Sequence, residues 1–229
     1  MIGIIAAMQA EHKLICEKME NKTTKTIAGI DFVSGKFCNR DVVIAVCGIG
    51  KVFAASAAQI MCLEFKPDVI INTGVAGSLD NDLSIFDIAI SSSVVQHDMD
   101  TSPLGDPVGL ISGINVINIY ASEALAQKAL LCANKLNLKA KTGVIASGDQ
   151  FVASNERKNF IKSQFNAIAC EMEGAAIGHV CYINKVPFVV IRSISDNANE
   201  DSPLDFPTVM SRAADNSAML TLAFLSSIE

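Results

Sequence analysis

Apolar residues along the chain fall into short dense runs separated by stretches of mixed polarity. The runs Ile2–Ala7, Val42–Cys47, Asp68–Asn72, Asp87–Val95, Gly143–Ser147, Ala167–Cys170 and Phe188–Ile194 show little alternation. Strands that read this way are covered on both faces, as in a sheet flanked by helices. Helical spacing predicts helices over Ala10–Met19, Val52–Phe65, Ser122–Leu136, Asn155–Gln164, Gly174–Asn184 and Phe206–Ser227. In the second of these, Ala54, Ala55, Ala57, Ala58 and Met61 give a small-residue face that can pack closely on a sheet. Asp31 and Asn39-Arg40-Asp41 read as turn-like breaks between short strands. The alternation predicts an α/β fold: a single domain over residues 1–229 with a mixed sheet, closed or strongly curled.

Composition narrows the classes. Of 229 residues, 50% are hydrophobic and 18% charged, which excludes a disordered chain. A chain of this length buries a sufficient core without disulfide or metal. The net charge of −6 leaves no basic footprint, so nucleic acid is not an expected partner. No apolar run reaches the roughly 18 residues of a membrane span. The seven cysteines (16, 38, 47, 62, 132, 170 and 181) contain no C-x-x-C pair and read as reduced core residues of a cytoplasmic protein. The opening MIGIIAAM has no basic start, and Gln9, Glu11 and His12 follow at once, so no secretory signal is expected.

Several motifs carry candidate chemistry. Gly48-Ile49-Gly50-Lys51 follows a strand, but Ala45 and Val52 break a P-loop and Phe53 breaks a dinucleotide fingerprint. A tight turn opening a helix accounts for it. Asn72-Thr73-Gly74-Val75-Ala76-Gly77-Ser78 reads as a loop after a strand, where ligands of α/β sheets usually lie. His97-Asp98-Met99-Asp100 has no distant residues to complete a metal set, so no metal is expected. Ser147-Gly148-Asp149-Gln150-Phe151 delivers an aromatic after a strand; by spacing alone, packing on the core is the simpler role. Pro103–Gly113 reads as a long loop with exposed Leu104, Val108, Leu110 and Ile111.

Carboxylates at strand ends complete the picture. Glu171-Met172-Glu173-Gly174 follows one strand, Ser195-Asp196 another, and Glu11 lies just behind the first. Buried acids are costly without partners, and so is Arg192 inside the apolar run Val186–Ile194. Several acids and one Arg, without a Ser-His or Cys-His pair, suit hydrolysis of a glycosidic bond.

The matching residues run through the whole chain in order. They are Gly3-Ile4-Ile5-Ala6-Ala7-Met8 with Glu11, Gly48–Val52, Pro67–Gly74, His97-Asp98, Ser147-Gly148-Asp149, Phe151, Glu171-Met172-Glu173, Val186-Pro187-Phe188, Arg192 and Ile194-Ser195-Asp196. On these residues the chain resembles the bacterial 5′-methylthioadenosine/S-adenosylhomocysteine nucleosidases, a hydrolytic branch of the nucleoside phosphorylase family. The resemblance implies a nucleoside phosphorylase-like fold with a mixed, partly barrel-like central sheet flanked by helices. It implies a homodimer, adenine nucleosides as small-molecule partners, and no cofactor.

It also implies roles. Asp196 would protonate N7 of adenine, Glu11 would activate water, and Glu173 would hold the ribose 2′-hydroxyl. Met172 would pack on the sugar, Phe151 would stack on the base, and the Val152 backbone would bond its edge. Arg192 would hold the water-side network and Ser195 would orient Asp196. Met8, Ile49 and Val75-Ala76-Gly77 complete the implied substrate-binding set, with Leu104 reaching the partner subunit's alkylthio pocket. Asp196 is expected to be raised by partial burial, and Glu11 to sit in wetter or more cationic surroundings. Many relatives carry Ser where this chain has Val75 and an aromatic where it has Leu104. The loop spellings resemble members that also cleave 6-amino-6-deoxyfutalosine. A phosphate-dependent phosphorylase and a non-catalytic nucleoside binder are the competing readings.

Overall fold

The computed structural model describes residues 1–199 and 206–228. Among these residues ten strands form one sheet: β1 (Ile2–Ala6), β2 (Glu20–Ile27), β3 (Ile30–Phe37), β4 (Arg40–Val46), β5 (Val69–Ser78), β6 (Ile88–Gln96), β7 (Ile119–Tyr120), β8 (Ala140–Ser147), β9 (Ala167–Glu171) and β10 (Phe188–Asp196). Among the described residues six α-helices flank them: α1 (Gln9–Glu17), α2 (Lys51–Ile60), α3 (Glu123–Lys135), α4 (Asn155–Phe165), α5 (Gly174–Asn184) and α6 (Phe206–Ser227). The expected curling is a full closure. The strands β5, β10, β6, β8 and β9 pair around a ring, because β5 is hydrogen-bonded to both β10 and β9. From β5 the sheet continues outward through β1, β4, β3 and β2.

Burial explains which strands were readable. β1, β9 and β10 are buried along their whole length, so they appear in the sequence as apolar runs, interrupted in β10 by Arg192 and Ser193. β2 (ENKTTKTI) is exposed at every position before Ile27 and pairs only with β3, so no apolar pattern marks it. Asp31 is inside β3 rather than in a turn. The turn falls at Ala28-Gly29, where both residues take positive φ (51° and 77°).

The Asn72–Ser78 stretch is likewise strand, the second half of β5, not a loop. Its glycines are there for clearance. Register sets Gly74 beside Arg192 and Gly77 beside Asp196 on β10. A Cβ at Gly74 would overlap Arg192 Nη1 and Glu11 Oε1, and one at Gly77 would sit 2.8 Å from Asp196 Oδ1.

Helix packing follows the small-residue faces. On α2, Ala54, Ala57, Ala58 and the following Met61 are buried together with Ala175, Ala176 and Ile177 of α5. On the other face of the sheet, Ile15 of α1, Ala126 and Ala129 of α3, and Ala218, Leu220 and Phe224 of α6 close a second core. Five cysteines are buried, but Cys38 is exposed in the turn before β4, against the expectation that all belong to the core. In the Pro103–Gly113 segment Leu104 is exposed, whereas Ile111 is buried in the main core and Val108 packs against a third cluster. That loop therefore presents less apolar surface than its sequence implies.

Candidate active site

Glu11 takes its place from local helix chemistry. It is the third residue of α1, where a Glu side chain can reach back to the unsatisfied N–H groups that open the helix. Its Oε2 accepts from Ala7 N (2.8 Å) and Met8 N (2.9 Å), and Oε1 accepts from Val75 N (3.2 Å). The last bond fills a gap in the sheet. β1 leaves β5 at Asn72 and β9 joins it only at Gly77. Glu11 is 1% exposed. Burial pushes its carboxyl above the usual range, opposed by Arg192 and the three N–H groups. Of the two surroundings expected for Glu11, wetter or more cationic, the structure has the cationic one, and it is dry.

Arg192 is the hub. Its Nη2 donates to Asn72 Oδ1 (2.6 Å), to Glu171 Oε2, and at 3.4 Å to Glu173 Oε2. Nη1 donates to the Val75 carbonyl at 3.4 Å, and Asn72 is itself held by its Nδ2 bond to the Ile5 carbonyl. Sequence reasoning singled out Glu171-Met172-Glu173 but gave a role to Glu173 and none to Glu171. Two carboxylates at alternate positions of Glu171-Met172-Glu173 carry no mark of which one meets the Arg. Glu171 also accepts from Ser147 Oγ, Glu173 N (3.0 Å) and Gly174 N (2.8 Å) at the start of α5. Met210 of α6 and Cys170 line the same cavity and were missed; single apolar residues in buried elements carry no signal.

Glu173 accepts from Gly50 N at 2.8 Å, the bond that ties the Gly48–Lys51 turn to the site. Burial, and then the like charge of Glu171, push its carboxyl up to about 7 against the pull of Arg192. Asp196 ends β10 and accepts from Ser195 Oγ and Ala198 N, both at 2.8 Å. Register slips by one residue between Ile194 and Asp196, a β-bulge that lets the neighbours Ser195 and Asp196 both line the cavity.

These groups surround a cavity of about 210 Å³. The structure brings Glu11, Glu173, Asp196, Arg192, Ser195, Met8, Ile49, Val75, Ala76, Gly77, Phe151, Val152 and Met172 together on its wall. Phe151 is 60% exposed at the mouth, so the core role favoured by spacing is corrected. Leu104, at 84% exposed, is not part of the cavity wall formed by its own chain.

The loop bearing Phe151 is held by a ring of contacts. Lys51 Nζ pairs with Asp98 Oδ1 (2.7 Å), Asp98 Oδ2 accepts from Asp149 N (2.9 Å), and Asp149 Oδ1 accepts from Lys51 N (2.7 Å). His97 packs beneath Gly148, its Nδ1 2.9 Å from Arg157 Nη2. Burial and the Arg157 charge push His97 below its ordinary range, so its neutral ring accepts from Arg157. Among the described residues no cluster of three His, Cys, Asp or Glu is placed to hold a metal ion.

A closed mixed barrel that gathers four carboxylates and one buried guanidinium on one cavity defines an acid–base enzyme of the α/β class. The chain belongs to the phosphorylase superfamily, whose family model matches residues 1–226. It is 42% identical over 228 residues, covering 99% of both chains, to the 5′-methylthioadenosine/S-adenosylhomocysteine nucleosidase of Shewanella halifaxensis. Among solved structures it is similar to a Helicobacter pylori MTAN mutant with 5′-methylthioadenosine in the active site (TM-score 0.95, 38% identity, covering 99% and 98%). It is equally similar to the futalosine hydrolase of Helicobacter pylori (TM-score 0.94, 39% identity, covering 99% and 97%).

Proposed function

We propose that this protein hydrolyses the N-glycosidic bond of 5′-methylthioadenosine and S-adenosylhomocysteine, releasing adenine and the thioribose product. The observation that carries this reading is the convergence of Glu11, Glu173, Asp196 and Arg192 on one cavity beside an exposed Phe151. The names of the Shewanella relative and of the Helicobacter complex support the same substrates.

In this reading each group has a task. Adenine stacks on Phe151 and bonds the Val152 backbone, while Met8, Ile49, Met172 and the β5 segment Val75-Ala76-Gly77 wall in the nucleoside. Asp196 gives a proton to N7, so the base departs with the electrons of the C1′–N9 bond. Ser195 Oγ lies 2.8 Å from Asp196 Oδ2 and 3.4 Å from the Ala76 carbonyl, so its hydrogen can serve either acceptor as Asp196 changes charge. Water adds to C1′ and passes its proton to Glu11, whose raised pKa makes it the stronger base. An ionised Glu173 holds the 2′-hydroxyl and stabilises the cationic ring. Proton exchange with solvent resets Asp196 and Glu11.

Charge argues against phosphorolysis. Among the described residues lining the cavity, Arg192 is the one cation, and it is already paired with carboxylates. The similarity to the futalosine hydrolase supports 6-amino-6-deoxyfutalosine as an additional substrate.

The reading extends to a single domain over residues 1–229 that acts in methionine salvage in the cytoplasm as a homodimer. Among the described residues no helix is long and apolar enough to cross a membrane. Exposed Val52 and Phe53 on α2 and Tyr182 and Ile183 on α5, two helices packed on each other, supply an apolar surface for a second copy. Leu104 would then reach the partner's alkylthio pocket. Leu104→Asp should weaken binding of methylthioadenosine far more than binding of adenine; equal effects, or an active monomer by sedimentation, would refute the shared site.

The deciding experiment measures adenine release in parallel from methylthioadenosine, adenosylhomocysteine and aminodeoxyfutalosine, with and without phosphate. Phosphate-dependent formation of ribose 1-phosphate products would establish the phosphorylase instead. Ligand recovered intact would establish a binder.

A further inference from the structure

We propose that Glu171 is a positioning residue: by claiming the Arg192 guanidinium, it sets the charge with which Glu173 meets the sugar. The proposal deepens the reading above and rests on it for the meaning of Glu173, though not for the contacts themselves.

The two carboxylates share one cation unequally. Arg192 Nη2 is in direct contact with Glu171 Oε2 but 3.4 Å from Glu173 Oε2, beyond a strong charge-assisted bond. Glu171 has further donors in Ser147 Oγ and in the Glu173 and Gly174 N–H groups that open α5. Ser147 Oγ in turn accepts from Ala175 N at 2.7 Å, so the cradle of Glu171 is anchored to the helix. Register fixes the arrangement, because Ser147 on β8 is paired with Glu171 on β9. Glu173 has one short donor, Gly50 N.

The other groups facing Glu173 do not neutralise it. Glu11 on α1 and Glu171 on β9 repel its charge, and Arg192 on β10 is the cation that favours it. Cys47 at the end of β4 is a buried thiol pushed up to about 12, so it adds no charge near neutral pH. Burial and these like charges push the Glu173 carboxyl up to about 7, so near neutral pH it is only partly ionised in the empty site. Full ionisation is favoured as the ring becomes cationic, so its attraction is greater in the transition state than in the ground state.

A residue that merely supports α5 would be replaced well by Gln, which keeps the volume and an acceptor for the two N–H groups. The proposal requires the opposite for charge. In Glu171→Gln, Arg192 is released to Glu173 and a like charge is removed. The Glu173 midpoint should then move acidward by about one to three pH units. It is read directly by carbon-13 NMR of labelled Glu carboxyls, with the Glu173 signal assigned by its loss in Glu173→Gln. The same shift should appear in the acidic limb of the kcat/KM profile for adenine release.

An unchanged Glu173 midpoint in Glu171→Gln overturns the proposal. If wild-type protein releases no adenine, the functional reading fails, while the NMR titration still decides whether Glu171 controls Glu173. Should Glu171→Gln not fold, Glu171→Asp, which draws the carboxylate back from Arg192 by one methylene, is judged by the same shift.

Discussion

Replacing Glu173 with Gln should make the unliganded protein more stable at pH 8 while leaving it nearly unchanged at pH 4.5. The carboxyl is pushed from 4.5 up to about 7 in the folded state by burial and by Glu171. Between those values the folded chain holds a proton that the unfolded chain has released. Stability contributed by this group is therefore full below about pH 4.5 and is lost as pH rises through about 7. At about 1.4 kcal/mol per pH unit, ionising the buried group costs about 3 kcal/mol. For a protein of this size that corresponds to about 6–12 °C in Tm. Gln fills the same volume, keeps an oxygen for the Gly50 N–H, and cannot ionise. Urea unfolding of both proteins without ligand, at pH 4.5, 6, 7 and 8, reads the difference. The two curves should meet at the acidic end and separate steadily, with the variant higher. Parallel curves, or a wild type that gains stability on the variant towards pH 8, would refute the electrostatic account of this site.

Asp196→Asn should lower kcat by about 10²–10⁴-fold with the fold intact, since Asn can bond N7 but cannot protonate it. Retention of more than a tenth of the wild-type rate would remove Asp196 from the acid role. Glu11→Gln should lose turnover yet keep ligand affinity, because water activation counts mainly in the transition state; a normal kcat with a raised KM would contradict it. Gly74→Ala should cost about 1–3 kcal/mol in unfolding free energy by overpacking, since its methyl would press on both Arg192 and Glu11. A variant as stable and active as wild type would show that the β5–β10 contact has slack.

Reading the chain alone named most of the residues that line this cavity, and the reasons are physical. The most fully buried strands, β1, β9 and β10, are covered on both faces, so their sequences are largely apolar, and the polar residues at or just beyond their ends stand out against them. Asp196 and Glu173 are conspicuous for that reason. Four features stay hidden. The strand β2 has no buried face and so no pattern. The second half of β5 contains Gly74 and Gly77, which read as turn residues, although a buried guanidinium and a carboxylate require the missing side chains. Glu171 and Glu173 are chemically identical two positions apart. Pairing with β8, which sets Glu171 against Ser147, decides between them, and that is a long-range fact. Burial of Glu11 is hidden in the same way, since its third N–H partner comes from Val75, far along the chain.

The place where Glu11 meets Val75 has a consequence for how the molecule holds itself together. Along that margin of β5, between Asn72 and Gly77, a side chain stands in for the missing neighbouring strand. If Glu11 is the group that takes a proton from water, the stitch that seals the seam is also the group that reacts. Each turnover then weakens, for an instant, one hydrogen bond between that side chain and the barrel's backbone. The Val75 amide becomes an indicator built into the main chain, its proton resonance and solvent exchange following the charge on Glu11.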